Sequence, residues 1–174
     1  MREALISAQG VQVRFGGLVA VDGVDLDVSA GEFVGVIGPN GAGKTTFFHT
    51  LSGVLVPNAG RIVVGGDDLT GRAPHQFARH GVARTFQTPR VFRDMSAEEN
   101  VRFGLEFAGR ARRHSGFDSA RGILAFLGLE GLAAQSAGGL TPARQRLLEI
   151  GMALGARPRV LLLDEVAAGL THAE

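Results

Sequence analysis

The sequence predicts an α/β fold: a mainly parallel core sheet, an N-terminal antiparallel β subdomain and an α-helical subdomain. Three observations carry that prediction. Val11–Phe15 (VQVRF) and Val24–Val28 (VDLDV) alternate apolar and polar residues, as half-buried antiparallel strands do. Two other runs, Phe33–Ile37 (FVGVI) and the VLLL within Arg159–Glu165 (RVLLLDE), are continuously apolar, the composition of strands covered on both faces. Between them, Ala97 to about Leu132 reads as helical.

The elements follow in order. Residues 5–28 form short strands, and Ser29–Glu32 (SAGE) is a turn. Phe33–Ile37 is the first core strand; a glycine-rich loop follows it, and a helix runs from about Lys44 to Ser52. Gly60–Leu69 (GRIVVGGDDL) is a strand with a turn at Gly65–Gly66. Pro74–Gly81 is a short helix and Val82–Phe86 a strand. A last helix spans about Pro142 to Ala156, ahead of Arg159–Glu165 as a second fully buried strand. The basic cluster Arg110–His114 (RARRH) is a solvated helix end.

Composition bounds what such a fold can do. A chain of 174 residues fits one domain, large enough to bury roughly 70% of its extended surface. With 45% hydrophobic residues, 20% charged residues and net charge +1, nothing draws it strongly to nucleic acid or anionic lipid. There is no cysteine, so disulfides and thiolate metal sites are excluded. Tyr and Trp are absent too, so an aromatic platform must be Phe or His. No apolar run approaches the roughly 18 residues that span a bilayer, and the N-terminus MREALISAQG lacks the apolar stretch of a signal peptide. The expectation is a chain in the cytosol, or on a membrane from the cytosolic side.

Gly38–Thr45 (GPNGAGKT) fits G-x-x-x-x-G-K-[ST]. Glycines such as Gly38, Gly41 and Gly43, together with Asn40, let successive backbone N–H groups turn toward one anion. The helix beginning there aims its positive end at the same point. Lys44 is the sole lysine among eighteen basic residues. Elsewhere any cation suffices and the chain uses Arg; here a compact ammonium on a flexible stem bridges two phosphates where a planar guanidinium would not fit. Thr45 and Thr46 offer hydroxyls, the first for Mg²⁺. Asp164 and Glu165 end an apolar strand 120 residues after Lys44. In that position the Asp holds Mg²⁺ through water, and the Glu polarises an attacking water.

In this order of motifs the chain resembles the nucleotide-binding ATPase subunit of ABC transporters, a P-loop NTPase, over essentially its whole length. Phe15 lies 29 residues before Lys44, in VRFGGLVAVDGV, and the resemblance makes it an adenine-stacking aromatic; plain core packing is the competing reading. RTFQ ends at Gln87, which the resemblance implies touches Mg²⁺ or the attacking water. The stretch GVARTFQTPRVFRDMSAEENV and the ending DEVAAGLTHAE, with Val166 in place of a common Pro, are similar to the branched-chain amino-acid uptake subfamily. The implied function is an ATP-binding, ATP-hydrolysing motor subunit of an importer for branched-chain or other small hydrophobic amino acids. Its implied partners are a second ATPase subunit, transmembrane permease subunits and, indirectly, a solute-binding protein, with no nucleic acid. Its implied place is the cytoplasmic face of a bacterial plasma membrane. The implied parts are a β subdomain with the phosphate-loop core over about 1–87, a helical subdomain over about 88–139, and the signature helix, acidic strand and AAGLT loop over about 140–174.

Two departures stand out. The family's signature, commonly L-S-G-G-Q, falls on Leu140-Thr141-Pro142-Ala143-Arg144. Both glycines are gone, and Pro142 has no N–H to give a phosphate. Thr141 and Pro142 also fit an ordinary helix start. Arg144 opposes the helix dipole and has Leu147 and Leu148 at the pairing positions, so it either meets an anion across the subunit interface or is solvated. The chain also stops nine residues after Glu165, before the family's switch His, and none of His49, His75, His80, His114 or His172 takes that place. The expectation is a truncated domain. Two rival readings stay open: an ABC-type protein not coupled to transport, and a fragment that binds ATP without turnover. Only 52 residues separate Gln87 from Leu140, without heptads, which disfavours the long arms of nucleic-acid-embracing relatives.

Overall fold

The computed structural model describes residues 4–107, 117 and 119–164. It divides into two compact units, residues 1–82 and 83–174.

The first unit is built on a four-stranded antiparallel sheet in the order β2-β1-β3-β4. β1 (Ala4–Phe15) and β2 (Leu18–Ser29) form one long hairpin. β3 (Ala59–Val64) and β4 (Asp67–Asp68) follow, turned at Gly65–Gly66. The burial of β1 changes phase. Ile6 and Ala8 face the core, then Val11 and Val13 do. A fixed period of 2 would put the second pair in solvent. The register shifts between Ala8 and Val11, where Gly10 has φ 56°, and the extra residue of this bulge restores the apolar side to the core. Phe47 and Leu51 of α1 (Lys44–Leu51) are buried, as are Ile62, Val64 and Leu69, and Phe77 of α2 (Pro74–Arg79).

One expected strand is not there. Residues 32–39 are irregular, with Phe33 and Ile37 exposed at 92% and 94%. A continuous apolar run states that both faces want cover, but a strand also needs neighbours to take its N–H and C=O groups. Among the described residues no strand is paired with this segment.

In the second unit β5 (Val82–Arg84) pairs with β6 (Val160–Leu162). Both are shorter than VARTF and RVLLLDE suggested, and β6 alternates buried and half-buried residues rather than being fully buried. The region expected to be helical from Ala97 to Leu132 is broken into pieces: α3 (Ala97–Phe107), α4 (Ala120–Phe126) and a 3₁₀ turn at Glu130–Leu132. A second 3₁₀ turn, Ala137–Gly139, leads to α5 (Pro142–Gly155). The basic cluster Arg110–His114 lies outside the described residues. α3 starts with a capping box: the Glu99 amide donates to Ser96 Oγ (3.2 Å), and Ser96 N–H donates to Glu99 Oε2 (2.8 Å). α4 is capped by Ser119, which accepts from Gly122 N (3.1 Å).

Ala97, Val101, Ile123, Leu124, Leu129, Leu140 and Leu148 form the core of this unit. α3 and α5 meet closely because glycine lines the contact. A Cβ on Gly104 would lie 2.2 Å from the Met152 carbonyl oxygen, and one on Gly155 2.9 Å from that of Val101. The segment before α3 is laced to the segment before α5. Ala97 N–H donates to Gln135 O, Ala137 N–H to Met95 O, and Gly138 N–H to Arg93 O, each at 2.9 Å. Asn100, fully buried, accepts from Phe92 N–H (2.8 Å) and donates to Phe92 O (3.0 Å) and Ser96 O (2.9 Å).

Gly104→Val should therefore separate α3 from α5 and destabilise the protein by about 1–3 kcal/mol, the scale for overpacking a closed contact; urea unfolding of the two proteins measures it. Acid should act on the start of α3. The Arg121 and Arg102 guanidiniums hold Glu98 below the ordinary glutamate range, and Ser96 N–H and hydroxyl do the same for Glu99. Carboxylates depressed in the folded state stabilise above their unfolded pKa, about 4.3, and lose that contribution as pH falls through the folded value. The thermal midpoint of Glu99→Gln should lie below that of the parent at pH 7, and the gap should close as pH drops below about 4.

Candidate functional site

The first unit carries the phosphate loop. Its shape follows from glycine at two positions: Gly41 at φ 83°, and Gly43 at φ 81° as the residue preceding α1. Gly43 is also sterically confined, since a Cβ there would sit 2.0 Å from Ala20 O of β2. No side chain caps the start of α1 and no acid lies in its first turn, which leaves the positive helix end to the loop. Ala42 N–H donates to Pro39 O (3.2 Å) and closes the turn around Asn40. Lys44 folds back over it: Nζ donates to Gly38 O (2.8 Å) and Pro39 O (2.9 Å). The ammonium is thus held at the mouth of the loop by two carbonyls that pose no competing charge. Thr45 and Thr46 follow in the first turn. Phe15 ends β1 at 51% exposure, so it is not a core phenylalanine.

The second unit carries the carboxylate and the glutamine. Thr85, fully buried, joins them: its N–H donates to Leu162 O (3.0 Å), and its Oγ1 accepts from Asp164 N–H (3.3 Å). Asp164 is buried, and its Oδ2 has no hydrogen-bond partner. A buried carboxylate oxygen left alone is costly; the coordination shell of a hydrated cation would satisfy it, so the residues present fit Mg²⁺. Arg84 lies in the same field. Burial pulls its guanidinium below the ordinary value, and the nearby Asp164 and Glu149 carboxylates oppose that pull. The guanidinium carbons of Arg84 and Arg90 lie over the Phe86 ring, 4.6 and 4.2 Å from its centre. Gln87, two residues after Thr85, is exposed.

Thr141 is the N-cap of α5, its hydroxyl accepting from Arg144 N–H (3.4 Å), and Pro142 is the first helical residue. Arg144 is exposed, and among the described residues its guanidinium has no acidic partner. Glu165, the AAGLT loop and His172 lie outside the described residues. Sequence reasoning missed Thr85, Asn100, Arg146 and Glu149. The spacing of 3 between Arg146 and Glu149 was legible as a same-face helical pair, but not its burial.

The family described as "ABC transporter" matches residues 21–168. The chain belongs to the ABC transporter family. It is 40% identical over 188 residues to the high-affinity branched-chain amino acid transport ATP-binding protein BraF of Pseudomonas aeruginosa, covering 100% of this chain and 74% of that one. The LivG protein of the same description from Escherichia coli is also 40% identical, with the same coverage. Among solved structures, the ADP conformation of an ATP-binding cassette of an ABC transporter is 30% identical, covers 97% of this chain and 71% of that one, and superposes with a TM-score of 0.81. The fold is therefore the ABC type of P-loop NTPase, and as an ABC domain the chain binds nucleotide. Among the described residues no helix is long and apolar enough to cross a membrane.

Lys44→Ala should weaken ATP binding by roughly 1.5–3 kcal/mol, the scale of a hydrogen bond to a charged group. Lys44→Arg should weaken it too, although the charge is kept, because the planar fork cannot make the contacts of the ammonium. Titration calorimetry decides it, and equal affinities for wild type and Lys44→Arg would defeat the shape argument.

Proposed function

We propose that this chain is the ATP-binding and ATP-hydrolysing motor subunit of an importer for branched-chain or similar small hydrophobic amino acids. The observation that carries the reading is the phosphate loop, with Lys44 held over it by Gly38 O and Pro39 O. The named relatives, 40% identical over the whole chain, supply the transport context.

In this reading the backbone from Gly38 to Thr46, with Asn40, Gly41 and Gly43, cradles the phosphates. Lys44 neutralises two of them. Phe15 stacks on the base, loosely, because every base has a π-face. Thr45, Asp164 and Gln87 would hold Mg²⁺, which would supply positive charge to the phosphate oxygens. Glu165 takes the proton of the attacking water, and Gln87 reports on the permease. Thr141 and Arg144 of one copy face the γ-phosphate bound by a second ATPase subunit. The pair works at the cytoplasmic face of the bacterial plasma membrane on permease subunits, and indirectly with a solute-binding protein. The three sequence parts, about 1–87, 88–139 and 140–174, serve as β subdomain with nucleotide core, helical subdomain, and signature helix with acidic strand and AAGLT loop.

One observation favours a second reading, nucleotide binding with slow turnover. At the signature, Pro142 offers no N–H, and the Thr141 hydroxyl, which accepts from Arg144 N–H, has a single O–H left to donate. Losing one well-placed donor costs roughly 100-fold in rate.

Phosphate release under saturating Mg-ATP tests both. Turnover that falls by orders of magnitude in Glu165→Gln, with ATP affinity within about twofold, fits a base whose size is kept and whose proton affinity is lost. Unchanged turnover would remove Glu165 from that role. Tight ATP binding with no measurable release by the parent favours the second reading.

A further inference from the structure

Gln87 is exposed, yet the backbone that carries it is held from below by two buried charges. Arg146 and Glu149 lie one turn apart on the inward face of α5, each about 5% exposed, and pair through Nη1 and Oε2 at 3.2 Å. Both also reach residues 86–90. Arg146 Nη1 donates to Phe86 O and Nη2 to Gln87 O. Glu149 Oε1 accepts from Phe86 N–H (3.2 Å) and Arg90 N–H (3.1 Å).

A buried ion pair is seldom a net source of stability, because desolvating two charges offsets their attraction. Its retention here has a geometric reason. Only a guanidinium presents two N–H groups in a fixed fork, and this fork spans two consecutive carbonyls. The carboxylate then takes the amides at either end of the same turn. Thr85 adds a second anchor on the other side, to Leu162 O and Asp164 N–H. Five residues upstream of Arg146 is Thr141, the N-cap of α5. The helix that begins at the signature position therefore grips the backbone of Gln87 directly.

We propose that Arg146 and Glu149 are positioning residues that fix the Gln87 segment to α5, so that Gln87 and the signature turn at Thr141–Arg144 move as one piece. The functional half of this inference rests on the reading of Gln87 as a ligand of Mg²⁺; the clamp does not.

Two measurements on the whole chain test it. The first is amide hydrogen exchange. Arg146→Lys keeps the charge beside Glu149 but cannot span both carbonyls. Exchange at Phe86 and Arg90 should quicken by roughly tenfold or more, the scale of one net hydrogen bond, while that of β1 and β3 stays as in the parent. Unchanged exchange at Phe86 and Arg90 overturns the clamp; acceleration throughout residues 83–164 overturns it equally, by showing a pair that merely holds the unit folded. The second is ATP affinity by calorimetry with and without Mg²⁺. Gln87→Ala should cut the gain due to Mg²⁺ by about tenfold. Arg146→Lys should cut it comparably, leave Mg²⁺-free affinity alone, and add little in the double variant. Loss with Gln87→Ala but not with Arg146→Lys overturns the positioning role. No loss with Gln87→Ala removes Gln87 from the metal and overturns the functional half, with the clamp still judged by exchange.

Discussion

A guanidinium taken out of water must find acceptors for its N–H groups, and Arg146 finds them in the main chain of another segment. That requirement organises the second unit. The carbonyls of Phe86 and Gln87 and the carboxylate of Glu149 surround the fork, and Glu149 in turn is satisfied by the amides of Phe86 and Arg90. Residues 85–90 have little regular structure to hold them beyond the short pairing of β5 with β6. They are ordered because a helix supplies the partners that a ladder would. Removing one charge would leave the other buried and alone, which is why such pairs resist piecemeal change.

The same segment also reaches Asp164. Thr85 fixes the amide of Asp164, Arg84 shares the field of Asp164 and Glu149, and the Phe86 ring carries the guanidiniums of Arg84 and Arg90 over it. Farther along, Asn100 gathers the carbonyls and amide around Phe92 and Ser96. The chain from β5 to α3 is thus pinned by buried polar side chains in succession. Each is satisfied, and a satisfied polar network specifies one arrangement where an apolar surface would accept several.

The first unit solves a different problem. A loop that receives an anion must expose N–H groups without letting its own carbonyls compete. Positive φ at Gly41 and Gly43 turns the backbone, the absence of room for a Cβ at Gly43 seats it against β2, and Lys44 covers the carbonyls of Gly38 and Pro39. Lysine is used once in the chain, at the place where the size of the cation decides.

The sequence by itself determined the phosphate loop, Asp164 just beyond β6, the helix starts at Lys44 and Pro142 and the antiparallel strands of the first unit, because each is written in neighbouring residues: glycine spacing, an acid after an apolar run, an N-cap, alternation. The capping box Ser96–Glu99 was equally local. Phe33–Ile37 shows where local pattern stops. Its composition asks for cover on both faces, but strand formation needs a ladder that other segments must provide, and among the described residues none does. The bulge that lets Ile6, Ala8, Val11 and Val13 all face inward depends on pairing with β2. The burial of Arg146, Glu149 and Thr85 depends on backbone partners 59 to 79 positions away, and that of Asn100 on Phe92, 8 positions away. These were decided by tertiary structure alone, since a charged or polar residue reads as surface until the fold brings it the hydrogen-bond partners that make burial tolerable.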